Sequence, residues 1–396
     1  MNSDNQRQVT FLVCSPLTER DFYRFGIDNW ITHGWKVKVF DITSFISPKF
    51  WKDIDGKKLS FNFDGLTIFH NINEAIFAIN NLQNNTVFID FLGLSSVETK
   101  LRKAARTRGK LVQLKLGNPP KSKFNKNNQQ LIRTYLNPIN FAKKLISIFK
   151  NKVKNFRAKK YFPDYLVVGG NESMLGINNK KISIIKAHNF DYDYYLKKGH
   201  TKSNKDNKFL VFLDDDAAYH WDYKKLKIKP YVTADNYFPI IDAGLDKIAK
   251  SLKLNIKIAA HPRSNYADRI LRYKHQIIEN KTHELINDAD VVIAHSSTSL
   301  QFAIVMKKPI IIVTTDEIEK KFHSRYFSHL INLTASKLDK KVINLSQSFN
   351  VNNWREYLNI DHKKYEKYIE NYVKTKGSPE KMSWDIIIEH LEKDLY

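Results

Sequence analysis

The chain has 396 residues, 42% hydrophobic and 13% aromatic, enough apolar mass for two domains of roughly 150–200 residues each and too much for a disordered chain. Its 65 Lys+Arg against 41 Asp+Glu leave a net charge of +24, which favours anionic partners such as nucleic acid, anionic lipid or nucleotide-linked substrates. The single cysteine, Cys14, excludes an internal disulfide, and no Cys/His cluster has structural-zinc spacing. A polar start without a signal-peptide core, and no apolar run of roughly 18–20 residues, predict a soluble or peripheral protein of a reducing compartment.

Val9–Ser15 is a short apolar run, the pattern of a buried parallel strand. A loop over Pro16–Asp21 leads to an amphipathic helix predicted over Phe22–His33, ended by Gly34. Trp35–Asp41 is the next strand, completing a βαβ unit. Thr86–Phe91 follows as a strand, then a helix opened by Ser95 and Glu98 as a capping box. Leu111–Leu116, Tyr165–Val168 and Ile182–Ile185 complete the strands of this half.

Between them, segment 121–160 carries many Lys and Arg and no Asp or Glu. Phe141, Leu145, Ile148, Phe149, Val153 and Phe156 recur there at helical spacing with lysines between. That is the pattern of a basic amphipathic helix able to lie on an anionic membrane, or to pack on its own domain.

A Lys-rich linker over 197–208 precedes a second alternating set. Phe209–Leu213 is a strand, Asp235–Leu252 a helix, and Ile256–Ala260 a strand running into His261, Pro262 and Arg263. A helix near Thr282–Asp288 leads to strand Val291–Ala294. The loop His295–Ser299 follows, then a helix to about Met306 and strand Pro309–Thr314. Ser383–Tyr396 is amphipathic. The expected architecture is α/β, with two Rossmann-like domains facing across a cleft. The expected bounds are 1–200 and 207–375, with a C-terminal helix, 376–396, that crosses back to the first domain.

In parallel sheets ligands bind beyond the carboxyl ends of the strands, so the residues there are the candidates. In the second half these are Asp214, Asp215 and Asp216; His261 and Arg263; Ser296, Ser297, Thr298 and Ser299; and Asp316 with Glu317. The hydroxyl run suits a phosphate or a helix cap. His261 suits a phosphate contact or proton donation to a leaving oxygen, and Arg263 a phosphate or carboxylate. His295 is a further candidate ligand contact. Three adjacent carboxylates need a ligand, a cation or solvent to relieve them. In the first half Glu19 and Asp21 are candidate bases, and Arg20 a partner for an acidic acceptor. Asp90, at another strand end, is a second acceptor contact. Each of these carboxylates also suits simple compensation of a helix N-terminus.

The stretch from Ile256 to Thr315, with His261-Pro262 followed by Ser296–Thr298, resembles the donor half of GT-B glycosyltransferases. It is similar in particular to the bacterial group that includes sialyltransferases, Kdo transferases and polyol-phosphate transferases. The resemblance implies that His261, Pro262, Ser296, Ser297 and Thr298 bind the donor's nucleotide phosphate. It implies transfer of a sugar, with a leaning to a CMP-linked acidic sugar, onto a lipopolysaccharide, capsule or other surface glycan. It also implies an enzyme at the inner face of the cell membrane, without metal or cofactor beyond its nucleotide-sugar co-substrate. UDP- and GDP-hexoses stay open, as do inversion and retention. The sialyltransferases' acidic-acidic-Gly motif has no clean counterpart here: Asp53, Asp55 and Gly56, and Asp64 with Gly65, read as turns. A polyol-phosphate transferase is the nearest alternative, and a basic nucleic-acid-binding protein or a non-catalytic scaffold the others. No Walker A loop, GxGxxG or helix-turn-helix signature accompanies the charge, so nucleic acid is not the expected partner.

Overall fold

The computed structural model describes residues 6–116, 120, 156, 162–177, 181–198, 208–220, 223, 228–262, 264, 266, 269, 271–350 and 354–396. Arg263 and nearly all of the basic segment 121–160 lie outside the described residues.

Two all-parallel sheets carry the chain. The first joins β1 (Gln8–Val13), β2 (Lys36–Asp41), β3 (Leu66–Ile68), β4 (Thr86–Asp90), β5 (Gly109–Lys115), β6 (Tyr165–Gly169) and β7 (Ser183–Ala187), in the order β3-β2-β1-β4-β5-β6-β7. The second joins β8 (Phe209–Leu213), β9 (Asn255–Ala259), β10 (Gln276–Ile278), β11 (Val291–Ala294), β12 (Ile310–Thr314) and β13 (Val342–Asn344), in the order β10-β9-β8-β11-β12-β13. Both orders reverse once, between β1 and β4 and between β8 and β11. That reversal opens a crevice at the strand ends of each sheet. Strands buried along their whole length, such as β1, β4, β8 and β12, read in sequence as largely apolar runs because helices cover both faces.

The first sheet is packed on one face around Trp30, Trp35 and Trp384, and on the other around Phe40, Phe88 and Leu101. Trp384 belongs to the helix Ser383–Leu395, which returns from beyond the second sheet to complete the first sheet's core. Its indole N–H donates to the Arg24 carbonyl at 2.8 Å. Trp35 Nε1 donates to Glu392 at 3.0 Å, and Arg7 pairs with the same carboxylate. The return path is pinned by Thr375, whose hydroxyl donates to the Val168 carbonyl at 2.8 Å and accepts from Gly170 N at 2.9 Å.

The single helix expected over Phe22–His33 is two: Glu19–Arg24 and Ile27–Thr32. Gly26 breaks it, with φ of +58° and its Cα pressed on Trp384; a Cβ there would sit 2.4 Å from that ring. Glycine supplies both the left-handed backbone and the missing side chain. Gly34, expected as the helix stop, also has positive φ, +78°. The capping box of Ser95 and Glu98 is present in both halves.

Candidate functional site

A cleft of about 1160 Å³ lies between the strand ends of the two sheets. Its first wall is the loop and helix after β1, which contribute Ser15, Glu19, Arg20, Asp21, Tyr23 and Arg24. Its second wall carries His220 from the loop after β8, His261 and Pro262 after β9, Asn280 after β10, and Ser297, Thr298 and Ser299 after β11. The floor is built by the helix Phe190–Lys198, which supplies Asp191, Asp193, Tyr194 and Lys197.

On the second wall the loops brace one another. Asp215 accepts from Ser296 N at 3.3 Å, tying the loop after β8 to the loop after β11 across the crevice. His261 stands edge-on to His220, ring centroids 4.9 Å apart, and Ser264 Oγ lies 3.4 Å from its Nδ1. Two imidazoles and three hydroxyl side chains therefore share one wall. These groups donate and accept hydrogen bonds without bringing a fixed negative charge, which suits phosphate oxygens.

The acidic triplet is relieved from within the protein. Tyr266 and Tyr273 both donate to Asp214, the latter at 2.6 Å. Arg269 grips Asp216 with two bonds, 2.6 and 3.0 Å, and Ser264 donates to it at 2.5 Å. Burial pushes the Asp214 carboxyl up to about 6 against the pull of both phenols. Burial likewise raises Asp215 to about 7, with the Ser296 N–H and the Ser297 side chain opposing. Asp214 touches the cleft; Asp215 and Asp216 are not among its lining residues. The structure thus gives Asp215 and Asp216 a bracing task in place of the nucleophile or donor contact expected of them, and Asp214 anchors the His261 loop through its tyrosines.

Other expected site residues also lie elsewhere. Asp90 is buried in an ion pair with Arg102, at 2.6 and 3.1 Å, and also accepts from Gln113 and Leu92 N; it offers no oxygen to an acceptor. Glu317 caps Thr233 at the head of the helix Ala234–Leu252 and pairs with Lys321. Ser296 turns its hydroxyl to Thr334 at 3.4 Å. His295 is a core residue. Its Nδ1 faces the Val313 carbonyl at 2.7 Å and so carries the proton, leaving Nε2 to accept from Tyr237 at 2.8 Å. Burial lowers it to about 4. Arg20 and Glu19 are exposed on the first wall. Asp21 stands there too, but Thr18 donates to its Oδ2 at 2.9 Å and accepts from its N–H at 3.2 Å, so it closes a helix cap.

Several cleft residues escaped sequence reasoning: His220, Asp191, Asp193, Tyr194, Lys197 and His283. His220 followed the same strand-end rule as His261 and was accessible to it. Asp193 accepts from Ser383 N at 2.6 Å and is raised to about 7, by burial first and then by the Asp385 and Asp191 carboxylates, against Ser383. Only the return of the C-terminal segment puts Ser383 there, 190 residues away in sequence.

No protein-family model matches the chain, and no curated protein matches it by sequence. Solved structures do match by shape. A variant of the wall teichoic acid polymerase TagF superposes with a TM-score of 0.54 at 14% identity, covering 98% of this chain and 90% of that one. MurG of Acinetobacter baumannii gives 0.47 at 8% identity over 98% and 99%. The UDP-GlcNAc 2-epimerase of Neisseria meningitidis, bound to UDP-GlcNAc, gives 0.45 at 12% identity over 98% and 100%. With two matched 3-2-1-4-5 parallel sheets facing across a cleft, the fold is GT-B.

Proposed function

We propose that this chain is a glycosyltransferase that moves a sugar from a nucleotide-linked donor to a glycan acceptor. The observation that carries the reading is the convergence of the His261 loop and the Ser297–Ser299 loop on one wall of a cleft whose other wall presents Glu19, Arg20 and Arg24. Phosphate leaving from a sugar gathers negative charge in the transition state, and preoriented imidazole and hydroxyl donors stabilise it most there. His261, beside His220, is the group assigned to that charge, with Ser297, Thr298 and Ser299 holding the diphosphate or monophosphate. The acceptor enters against Arg20 and Tyr23. A CMP-linked acidic sugar is the donor we favour, and a lipopolysaccharide, capsule or other surface glycan the acceptor. The lysine-rich amphipathic pattern of segment 121–160 supports docking on an anionic cytoplasmic membrane surface.

A second reading, transfer of a polyol phosphate, uses the same cleft and differs in the bond made. The teichoic acid polymerase among the shape neighbours is the reason to keep it. A thermal-shift panel with CMP, CDP, UDP and GDP, on wild type and Ser297→Ala, tests the common part. A nucleotide at 100 times its Kd stabilises the native state by about 2.7 kcal/mol. A shift with one nucleotide, reduced in the variant, supports the site and names the donor base; no shift with any refutes it. Product analysis then separates the readings, because only polyol-phosphate transfer leaves a phosphodiester.

A further inference from the structure

Transfer to a hydroxyl needs a group that takes the acceptor's proton, and the first wall supplies a poor one. Asp21 is engaged in its helix cap, and Glu19 is an exposed residue of the first helical turn. The cleft floor holds a better arranged pair. His283, from the helix Thr282–Asp288 of the second half, places Nε2 3.1 Å from Oδ1 of Asp191, in the helix that follows β7. Both side chains are about a third exposed, 30% and 27%, and both line the cleft.

The ring is fixed on its other sides. Tyr194 stacks on it, centroids 4.4 Å apart and 21° from parallel, and Phe302 meets it edge-on at 4.9 Å. Tyr194 is itself held by its hydroxyl, which donates to Glu284 at 2.5 Å. A histidine that merely filled space would need no carboxylate, and a surface ion pair would not be clamped between two aromatic rings. With Nε2–H donating to Asp191, Nδ1 carries a lone pair, and the carboxylate stabilises the imidazolium that forms when that nitrogen gains a proton.

Resting on the glycosyl-transfer reading, we propose that His283 is the general base of the reaction and Asp191 its positioning residue. The acceptor oxygen bonds to the anomeric carbon as its proton passes to His283 Nδ1. The anomeric carbon–oxygen bond to phosphate breaks, and its electron pair stays on the phosphate oxygen, facing His261 and the hydroxyl loop. The helix that carries Asp191 follows β7 in sequence but packs Tyr192, Tyr194 and Leu196 on the core of the second sheet, so the pair is assembled on that half. The groups that titrate around the ring are Asp191, Asp193, Tyr194 and Lys197 on the facing helix and Glu284 on its own.

The test is steady-state kinetics across pH on wild type, His283→Ala, His283→Gln and Asp191→Asn, with thermal melts and nucleotide-induced shifts to show that each variant folds and binds donor. The general base predicts a fall in kcat of about 10²–10⁴-fold for both His283 variants, loss of the acidic limb of the kcat/KM profile, and partial rescue of His283→Ala by added imidazole. Asp191→Asn keeps the acidic limb and lowers kcat by less than the His283 variants do, as loss of a positioning residue should. Raised KM values with the acidic limb intact and no imidazole rescue would show a purely structural clamp and overturn the proposal, as would unchanged activity in His283→Gln. Wild type that turns over no sugar nucleotide refutes the transfer reading itself, a failure distinct from that of the base.

Discussion

Arg102→Met isolates the ion pair that removes Asp90 from the acceptor site. The Arg102 side chain is 1% exposed and that of Asp90 not at all. Arg102 spends its guanidinium on both Asp90 oxygens and on the Gly93 and Leu92 carbonyls, at 2.5 and 2.6 Å. Removing it leaves a carboxylate sealed from water with only the Gln113 amide and the Leu92 N–H as partners. Breaking a buried pair on one side costs about 3–5 kcal/mol. At roughly 2–4 °C per kcal/mol for a domain of this size, the melting temperature should fall by roughly 6–20 °C. Trp30, Trp35 and Trp384 lie in the core of the same sheet and Trp354 packs on the other, so tryptophan emission during a thermal ramp, read in a Trp354→Phe background, follows mainly this half. The double variant Asp90→Asn with Arg102→Met should recover part of the loss, because the amide keeps partners for Leu92 N and Gln113 without a charge. A shift under about 3 °C for Arg102→Met would refute the argument. So would an Asp90→Asn variant that melts like wild type but binds acceptor poorly.

Other outcomes follow from the same geometry. His261→Ala should lower turnover by about two orders of magnitude or more with the fold intact, the scale of losing one preorganised donor; a kcat equal to wild type sinks its assignment. Gly26→Ala should cost about 2 kcal/mol or more through the left-handed backbone and overlap with Trp384, read as earlier proteolysis of the C-terminal helix; wild-type protection would contradict it. His295 titrates at about 4 in the folded state against about 6.5 for an ordinary imidazole, so the unfolded chain takes its proton first. Its contribution is complete above pH 6.5 and is lost as pH falls toward 4, at about 1.4 kcal/mol per pH unit. The stability difference between wild type and His295→Gln, followed by urea melts from pH 7.5 to 4.5, should therefore shrink or reverse on acidification; a constant difference would show that the ring does not stay neutral.

Long buried strands were readable from composition because a strand covered on both faces is apolar at most positions, with its few buried polar groups near the strand ends or as threonines. The short edge strands β3, β10 and β13 were not, since half their residues face outward or lie at a sheet margin. The break at Gly26 was hidden because its cause is a tryptophan more than 350 positions later. In the cleft, the strand-end rule reached His261 and Ser297–Ser299 but could not distinguish a residue that faces the ligand from one that braces its neighbour. Asp215, Asp216 and Ser296 were indistinguishable from their neighbours in sequence, and only their partners sort them: the Ser296 N–H for Asp215, Arg269 for Asp216 and Thr334 for the Ser296 hydroxyl. His283 and Asp191 carried no local signal, because neither motif nor spacing marks a pair formed across 92 positions of chain.

The closing helix has a consequence for how the molecule comes into being. Trp384, Ile387, Ile388 and Leu391 are core residues of the first sheet, yet they are made after every strand of the second. Domains commonly fold in order as they leave the ribosome. Here the first sheet must wait, with an apolar face uncovered, until the second half is synthesised and the helix Ser383–Leu395 arrives to seal it. The first sheet is thus begun before the second and finished after it, and in that interval its uncovered apolar face is the kind of surface that aggregates or binds a chaperone.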